Sequence, residues 1–184
     1  MPVREVKLNK NGGLPKSQID LFGGEYSFTE KLRKFGTGSP KLIYESGISE
    51  FDQLDRGSAS ELGFVNLELL KNGLLFWFNQ NQRIKCVGIK LTEIQAINLV
   101  AFRIELKYRR QYGKTIKRIV YRGELEILDT TRDKIIMNVI VQNFKGILKF
   151  FQKEPFDNKF SYSLSLDPPE KDYDYLIDWL GNLL

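Results

Sequence analysis

From residue 63 to residue 166, apolar positions fall in short runs separated by turn residues, the pattern of strands that bury one face. The run Phe64 to Leu70 is joined to Leu74 to Phe78 through Asn72-Gly73, a dipeptide that readily takes the positive φ values of a two-residue hairpin turn. Residues 79 to 82 make the next turn, and Arg83 to Leu91 alternates with Ile84 and Cys86 on one face. A further strand is predicted around Ile94 to Val100. Phe102 to Arg109 alternates strictly, with Phe102, Ile104, Leu106 and Tyr108 on one side and polar residues on the other, and the chain turns back near Tyr112-Gly113 into a strand through Tyr121. The remaining strands are predicted at Gly123 to Leu128, Lys134 to Val141, Lys145 to Phe151 and Lys159 to Leu166, with no helix between them.

The two ends read differently. Residues 1 to 60 form an arm with little regular structure, punctuated by Gly12-Gly13, Gly23-Gly24, Gly36, Gly38 and Pro40. Within it, Lys41 to Tyr44 is a candidate strand and Ser27 to Phe35 a candidate short helix, neither with sustained periodicity. The stretch from Ser46 to Glu61 turns acidic and small, with Glu50, Asp52, Asp55 and Glu61 against Arg56, and marks a boundary before a β-domain at 61–184. At the carboxyl end, Pro168-Pro169-Glu170 suits a helix start, because proline fits the first turn and acids fit the positive end of the dipole. At helical spacing Tyr173, Leu176, Ile177, Trp179, Leu180 and Leu183 share a stripe roughly 160° wide, leaving Lys171, Asp174, Asp178 and Asn182 outside it. Such a face must be buried, and a lid over an open end of the β-structure is the expected place.

The hairpin Phe64 to Phe78, the segment Ile89 to Ile94, and Trp179 in a closing helix resemble the pleckstrin-homology-like (PH-like) fold, bacterial members included, over roughly residues 62 to 184. The resemblance implies a mainly β protein: a bent antiparallel meander or partly open barrel of about seven or more strands, closed by a C-terminal amphipathic helix. It implies a non-catalytic binding or adaptor module. The family's phosphoinositide-binding members carry basic residues along the first hairpin, whereas that turn offers only Lys71 here. The strands counted from Gly63 exceed seven, which makes residues 102–122 an inserted hairpin.

Composition narrows the chemistry. The 184 residues suffice for one substantial domain. No apolar run approaches the roughly 18 residues that cross a bilayer, and Met1 to Lys10 lacks a signal-like apolar core, so the expected location is cytoplasmic, with attachment to the inner face of the membrane left open. The single cysteine, Cys86, has strand-like flanks and reads as a small buried hydrophobe. Histidine is absent, which removes the usual general base and metal ligand near neutral pH, so no enzyme activity, cofactor or metal is expected, and a His-free enzyme using carboxylate, Lys, Tyr or backbone groups ranks last among the functions.

Charge is concentrated in the 102–122 hairpin. Arg103, Lys107, Arg109, Arg110, Lys114, Lys117, Arg118 and Arg122 oppose Glu105 alone, a local +7 within a chain of +5. Like charges across an antiparallel pair repel, so an anionic partner would relieve this ribbon. These eight residues are the candidate anion-binding set. The partner is a protein or an anionic membrane surface, with nucleic acid ranked behind and self-association open. Tyr108, Tyr112 and Tyr121 interleave with the cations, as aromatics do in single-strand nucleic-acid grooves. The competing reading is a solubilising hairpin whose cations discourage edge pairing. Glu124 with Glu126, and Asp129 to Asp133, are the nearest to paired carboxylates and read as solvated polar positions. Residues 36 to 41 lack the Gly-Lys-Ser/Thr ending of a phosphate loop. Among Phe76, Trp77 and Phe78 at least one must face away from the others, to be covered by the arm or by the inserted hairpin or else to line a partner-binding groove.

Overall fold

The computed structural model describes residues 3–34, 36–53, 63–80, 83–109, 115–139, 141–156 and 158–165, with the backbone path alone at 80, 83, 103–109, 115–122, 141 and 164–165. Its elements are β1 (Arg4–Glu5), α1 (Lys16–Asp20), α2 (Phe28–Arg33), β2 (Leu42–Ser46), α3 (Ser49–Asp52), β3 (Phe64–Leu70), β4 (Gly73–Gln80), β5 (Arg83–Lys90), β6 (Ile94–Arg109), β7 (Thr115–Asp129), β8 (Lys134–Val139), α4 (Phe144–Phe151) and β9 (Phe160–Ser165). The protein is mainly β. Among the described residues nine strands form one sheet in the order β1-β5-β4-β3-β2-β8-β7-β6-β9.

The β3–β4 hairpin has the register that Asn72-Gly73 requires, with Leu70 opposite Gly73 and Phe64 opposite Asn79. Alternation then assigns the faces. Leu67, Leu69, Leu74, Phe76, Phe78, Val87 and Ile89 point into one core, which they share with Ile97, Leu99, Leu125, Ile127 and Met137 from the other end of the strand order. A sheet whose distant strands feed one contiguous core curves around it. Lys159 Nζ spans the join between β5 and β6 by donating to the carbonyls of Leu91 (2.8 Å) and Ile94.

Three strand expectations change. Lys145 to Phe151 is helical, not extended: α4 buries Ile147, Phe150 and Phe151 and leaves Lys145 and Lys149 exposed. That is i, i+3, i+4 spacing, and an apolar run this short is compatible with either period until tertiary packing decides. The separate strands at 94–100 and 102–109 are one strand of 16 residues, and those ending at Tyr121 and starting at Gly123 are one strand of 15. Finally, β9 pairs with β6 in parallel, Ile97 opposite Phe160 through Phe102 opposite Ser165, where a meander would pair antiparallel. The α4 segment between β8 and β9 carries the chain across the core and makes that direction accessible. The helix expected from Pro168 to Leu183 lies outside the described residues.

Residues 1–60 contribute β1, α1, α2, β2 and α3. The β2 strand sits inside the sheet, antiparallel to β3 and to β8. Within the acidic stretch that begins at Ser46, Phe51 is fully buried. It stacks on Phe78 at 4.7 Å and meets the Tyr44 ring edge-on at 5.4 Å. Tyr44 secures the same turn by donating its hydroxyl to Asp52 Oδ1 at 2.7 Å. The charged texture there conceals a core anchor. Upstream, α2 starts on a capping box in which the Ser27 hydroxyl and the Glu30 carboxylate serve each other's backbone amides.

The outward residue of the aromatic triplet is Trp77. Its face of β3 to β5 carries a second apolar cluster of Val6, Phe22, Leu70, Leu75 and Cys86, with Leu8, Leu14, Ile19 and Trp77 packed against it. The amino-terminal segment supplies this cover, and the Trp77 indole donates to Glu68 Oε2 at 2.8 Å. Glycine at 88 makes the cover fit, because a Cβ there would meet the Phe22 ring at 2.3 Å. Burial, then the nearby Glu68 charge, push the Cys86 thiol up to about 12, so it stays protonated and acts as core.

Candidate functional site

The eight basic candidates divide by position. Arg103, Lys107 and Arg109 lie on β6, and Lys117, Arg118 and Arg122 on β7; Arg110 and Lys114 fall outside the described residues. Register places Lys107 directly opposite Lys117, Arg109 opposite Thr115 and Arg103 opposite Tyr121. Directly opposed residues share a face, so Arg103, Lys107, Arg109 and Lys117 occupy one face together with Glu105. Arg118 and Arg122 occupy the other, opposite Leu106 and Phe102. The six described candidates thus form a four-cation face backed by a two-arginine face.

Among the described residues, no neighbouring ladder reaches the cations. Pairing of β8 with β7 stops at Gly123, and pairing of β9 with β6 stops at Phe102, so among the described residues the segments 103–109 and 115–122 have only each other as ladder partners. They form a two-stranded ribbon that extends beyond the sheet.

At the ribbon's base the outer face is polar and paired. The Ser161 hydroxyl bonds Asn98 Oδ1 at 2.7 Å, Asn98 Nδ2 donates to Glu126 Oε1 at 3.3 Å, and Lys134 Nζ reaches Glu126 Oε2 at 2.8 Å. Glu126 is therefore occupied by a lysine and an amide. Asp129 is fully buried at the end of β7 and organises the tight turn: its Oδ1 accepts from the Thr131 amide, the Thr131 hydroxyl and the Asp133 amide at 2.8 to 2.9 Å. The sequence reads Asp129 to Asp133 as a solvated polar turn, which carries no signal of the burial of Asp129.

A depression of about 320 Å³ lies between the α3 turn and the β7–β8 turn, lined by Val3, Gly47, Ile48, Ser49, Glu50, Asp52, Asp133 and Lys134. Sequence reasoning did not bring these residues together, because they are far apart along the chain. Asp52 is held by Tyr44 and by the Gly47 amide at 3.3 Å, so it shapes the α3 turn. Among the described residues no three His, Cys, Asp or Glu side chains are grouped as metal ligands, and no helix is long and apolar enough to cross a membrane. The glycine-containing stretch after Phe35 makes strand-like contacts instead of a phosphate cradle: Ser39 N donates to Leu67 O, and Leu69 N to Thr37 O, both at 2.8 Å.

No protein-family model, curated protein or solved structure matches this chain.

Proposed function

We propose that this chain is a non-catalytic binding module on a PH-like frame, which meets an anionic surface, lipid head groups first, through the β6–β7 ribbon. The observation that carries the reading is the register. Lys107 faces Lys117, with Arg109 one step along the same face, on a ribbon with no other described ladder partner. Directly opposed like charges on a strand pair are destabilising, by an amount on the order of 0.2–1 kcal/mol, and a bound anion removes that repulsion. The PH-like part is supported by the run β5-β4-β3-β2-β8-β7-β6, seven strands in antiparallel contact, and by an amphipathic helix, α4, directly after β8.

Co-sedimentation with vesicles tests the proposal. Vesicles rich in phosphatidylserine should pull the protein down at low ionic strength, and neutral phosphatidylcholine vesicles should not. Binding should fade as the screening length falls from about 10 Å at 0.1 M to about 3 Å at 1 M salt. Equal recovery with both vesicles, or none with either, contradicts a membrane contact. The projecting two-stranded ribbon is also the observation that favours nucleic acid as a second reading, since such a ribbon fits a major groove. A gel shift with random DNA and RNA at low salt decides it, and its absence removes that reading.

A further inference from the structure

The two most exposed large apolar side chains among the described residues share one short helix. Phe28 is 76% and Leu32 61% exposed, and both belong to α2. Four residues apart, they are neighbours on one helix face and make a single apolar spot, unlike the scattered hydrophobes that any surface carries.

The opposite face of α2 ties the helix to the body of the protein. At about 100° per residue, Glu30 and Lys34 lie roughly 180° and 140° from the centre of the Phe28–Leu32 pair. Glu30 closes the capping box on Ser27 and stands 3.7 Å from Lys71 Nζ. Lys34 Nζ donates to the Glu154 carbonyl at 3.1 Å and lies 5.0 Å from the centroid of the Tyr26 ring. Six residues do not hold a helix by themselves, so these ties fix α2 and turn its apolar pair toward solvent.

Size and charge select what meets the pair. A specific protein interface buries about 800 Å² on each side, well beyond what two side chains supply. A second copy would set like charge on like, because Ser27 to Lys34 holds Lys31, Arg33 and Lys34 against Glu30, a net +2. That sign suits an anionic bilayer. Lys31 and Arg33 flank the pair at roughly 80° and 120°, and their aliphatic stems lie along apolar surface while the charged ends stay among head groups. Arg33 is exposed and has no carboxylate partner among the described residues. The Lys31 bridge to Glu25, 2.7 Å long, is itself solvent-exposed and exchanges readily for a lipid phosphate.

We infer that α2 is a membrane-insertion point: Phe28 and Leu32 enter the boundary between head groups and acyl chains of an anionic bilayer, with Lys31 and Arg33 on the lipid phosphates. The inference rests on the membrane reading above, since one small anchor binds only marginally and stable attachment takes a second signal, here the charge of the ribbon.

The test attaches an environment-sensitive nitrobenzoxadiazole group to the full chain at Phe28→Cys or, as a control, at Thr130→Cys, an exposed position after β7. Cys86 is buried and protonated, so it does not compete for the reagent. With phosphatidylserine vesicles, emission from position 28 should move to shorter wavelength and be quenched by nitroxides on the acyl chains, while position 130 stays in water. Phe28→Ser with Leu32→Ser should cut vesicle recovery by about tenfold or more and leave the urea midpoint in place, because neither side chain belongs to the core. A probe at 28 that remains in water on sedimenting vesicles, or recovery untouched by the two serines, overturns the insertion and leaves the ribbon contact standing. Recovery and acyl-chain quenching that both survive Lys107→Ala with Lys117→Ala overturn the ribbon contact and leave the insertion standing. Self-association that the two serines abolish gives the face to a second copy and overturns the insertion.

Discussion

In its first half, β6 keeps Ile97, Leu99 and Ala101 out of water at every second position, and β7 answers with Leu125 and Ile127. Past Phe102 the same positions of β6 hold Arg103, Glu105, Lys107 and Arg109, and Lys117 stands on that face in β7. One hairpin thus contains a structural half and a presenting half, joined without a break in the ladder. The backbone is indifferent to the distinction. What differs is the neighbourhood, since among the described residues β8 and β9 pair with the first half only. Hydrophobic burial holds the base, and the ribbon continues its ladder with a sequence whose charges no core would accept.

That contrast gives graded expectations. Leu99→Ala, in the buried half, should cost about 2–5 kcal/mol of unfolding free energy in a urea titration, while Lys107→Ala should change it by no more than about 0.5 kcal/mol. Equal costs would erase the division. At the junction, a Cβ on Gly123 would lie 3.0 Å from both Leu99 and Phe144, so Gly123→Val should destabilise by about 1–3 kcal/mol. A tolerated valine would show that the base is looser there than its packing implies.

Cys86 reports on the opposite part of the sheet. Burial raises its thiol from 9.0 to about 12, so the folded chain retains a proton that the unfolded chain releases. Its contribution is complete below about pH 9 and is lost as pH rises toward about 12, at about 1.4 kcal/mol per pH unit. Cys86→Ala should flatten that alkaline slope in a pH series of urea titrations and leave ribbon binding unchanged. A small effect of the opposite sign is expected of Lys107→Glu, which turns the pair with Lys117 from like to opposite charge. It should raise stability by roughly 0.2–1 kcal/mol while weakening binding to anionic vesicles. Unaltered stability would mean that the two lysines do not feel each other.

The legible parts of this fold were those with a local cause. Asn72-Gly73 fixes its hairpin by turn chemistry, and alternation at 102–108 fixes the ribbon's faces wherever the strand runs. At Ser27 to Phe35 the sequence reading offers a candidate short helix, and the structure supplies its start as the Ser27–Glu30 capping box. Less local features did not show. Phe144 to Phe151 is dense in residues that suit strands, and only contact with the core selects its helical spacing. The place of β2 between β3 and β8 depends on pairings as distant along the chain as Leu42 with Val139, of which a five-residue run carries no trace. Parallel pairing of β9 depends likewise on where α4 leaves the chain. Of the candidate site, the charge was readable from composition and spacing, but the opposition of Lys107 and Lys117, and the end of the sheet at Phe102 and Gly123, required the register.

In the proposed division of labour the ribbon's cations make the contact while the sheet behind them supplies stability. The most direct test is the fourfold variant Arg109→Ala, Arg110→Ala, Lys114→Ala and Arg118→Ala, compared with the unaltered chain by co-sedimentation with phosphatidylserine vesicles and by urea titration of the same samples. The account expects vesicle binding to be lost while the unfolding midpoint stays in place. Binding that persists in the folded variant would contradict it.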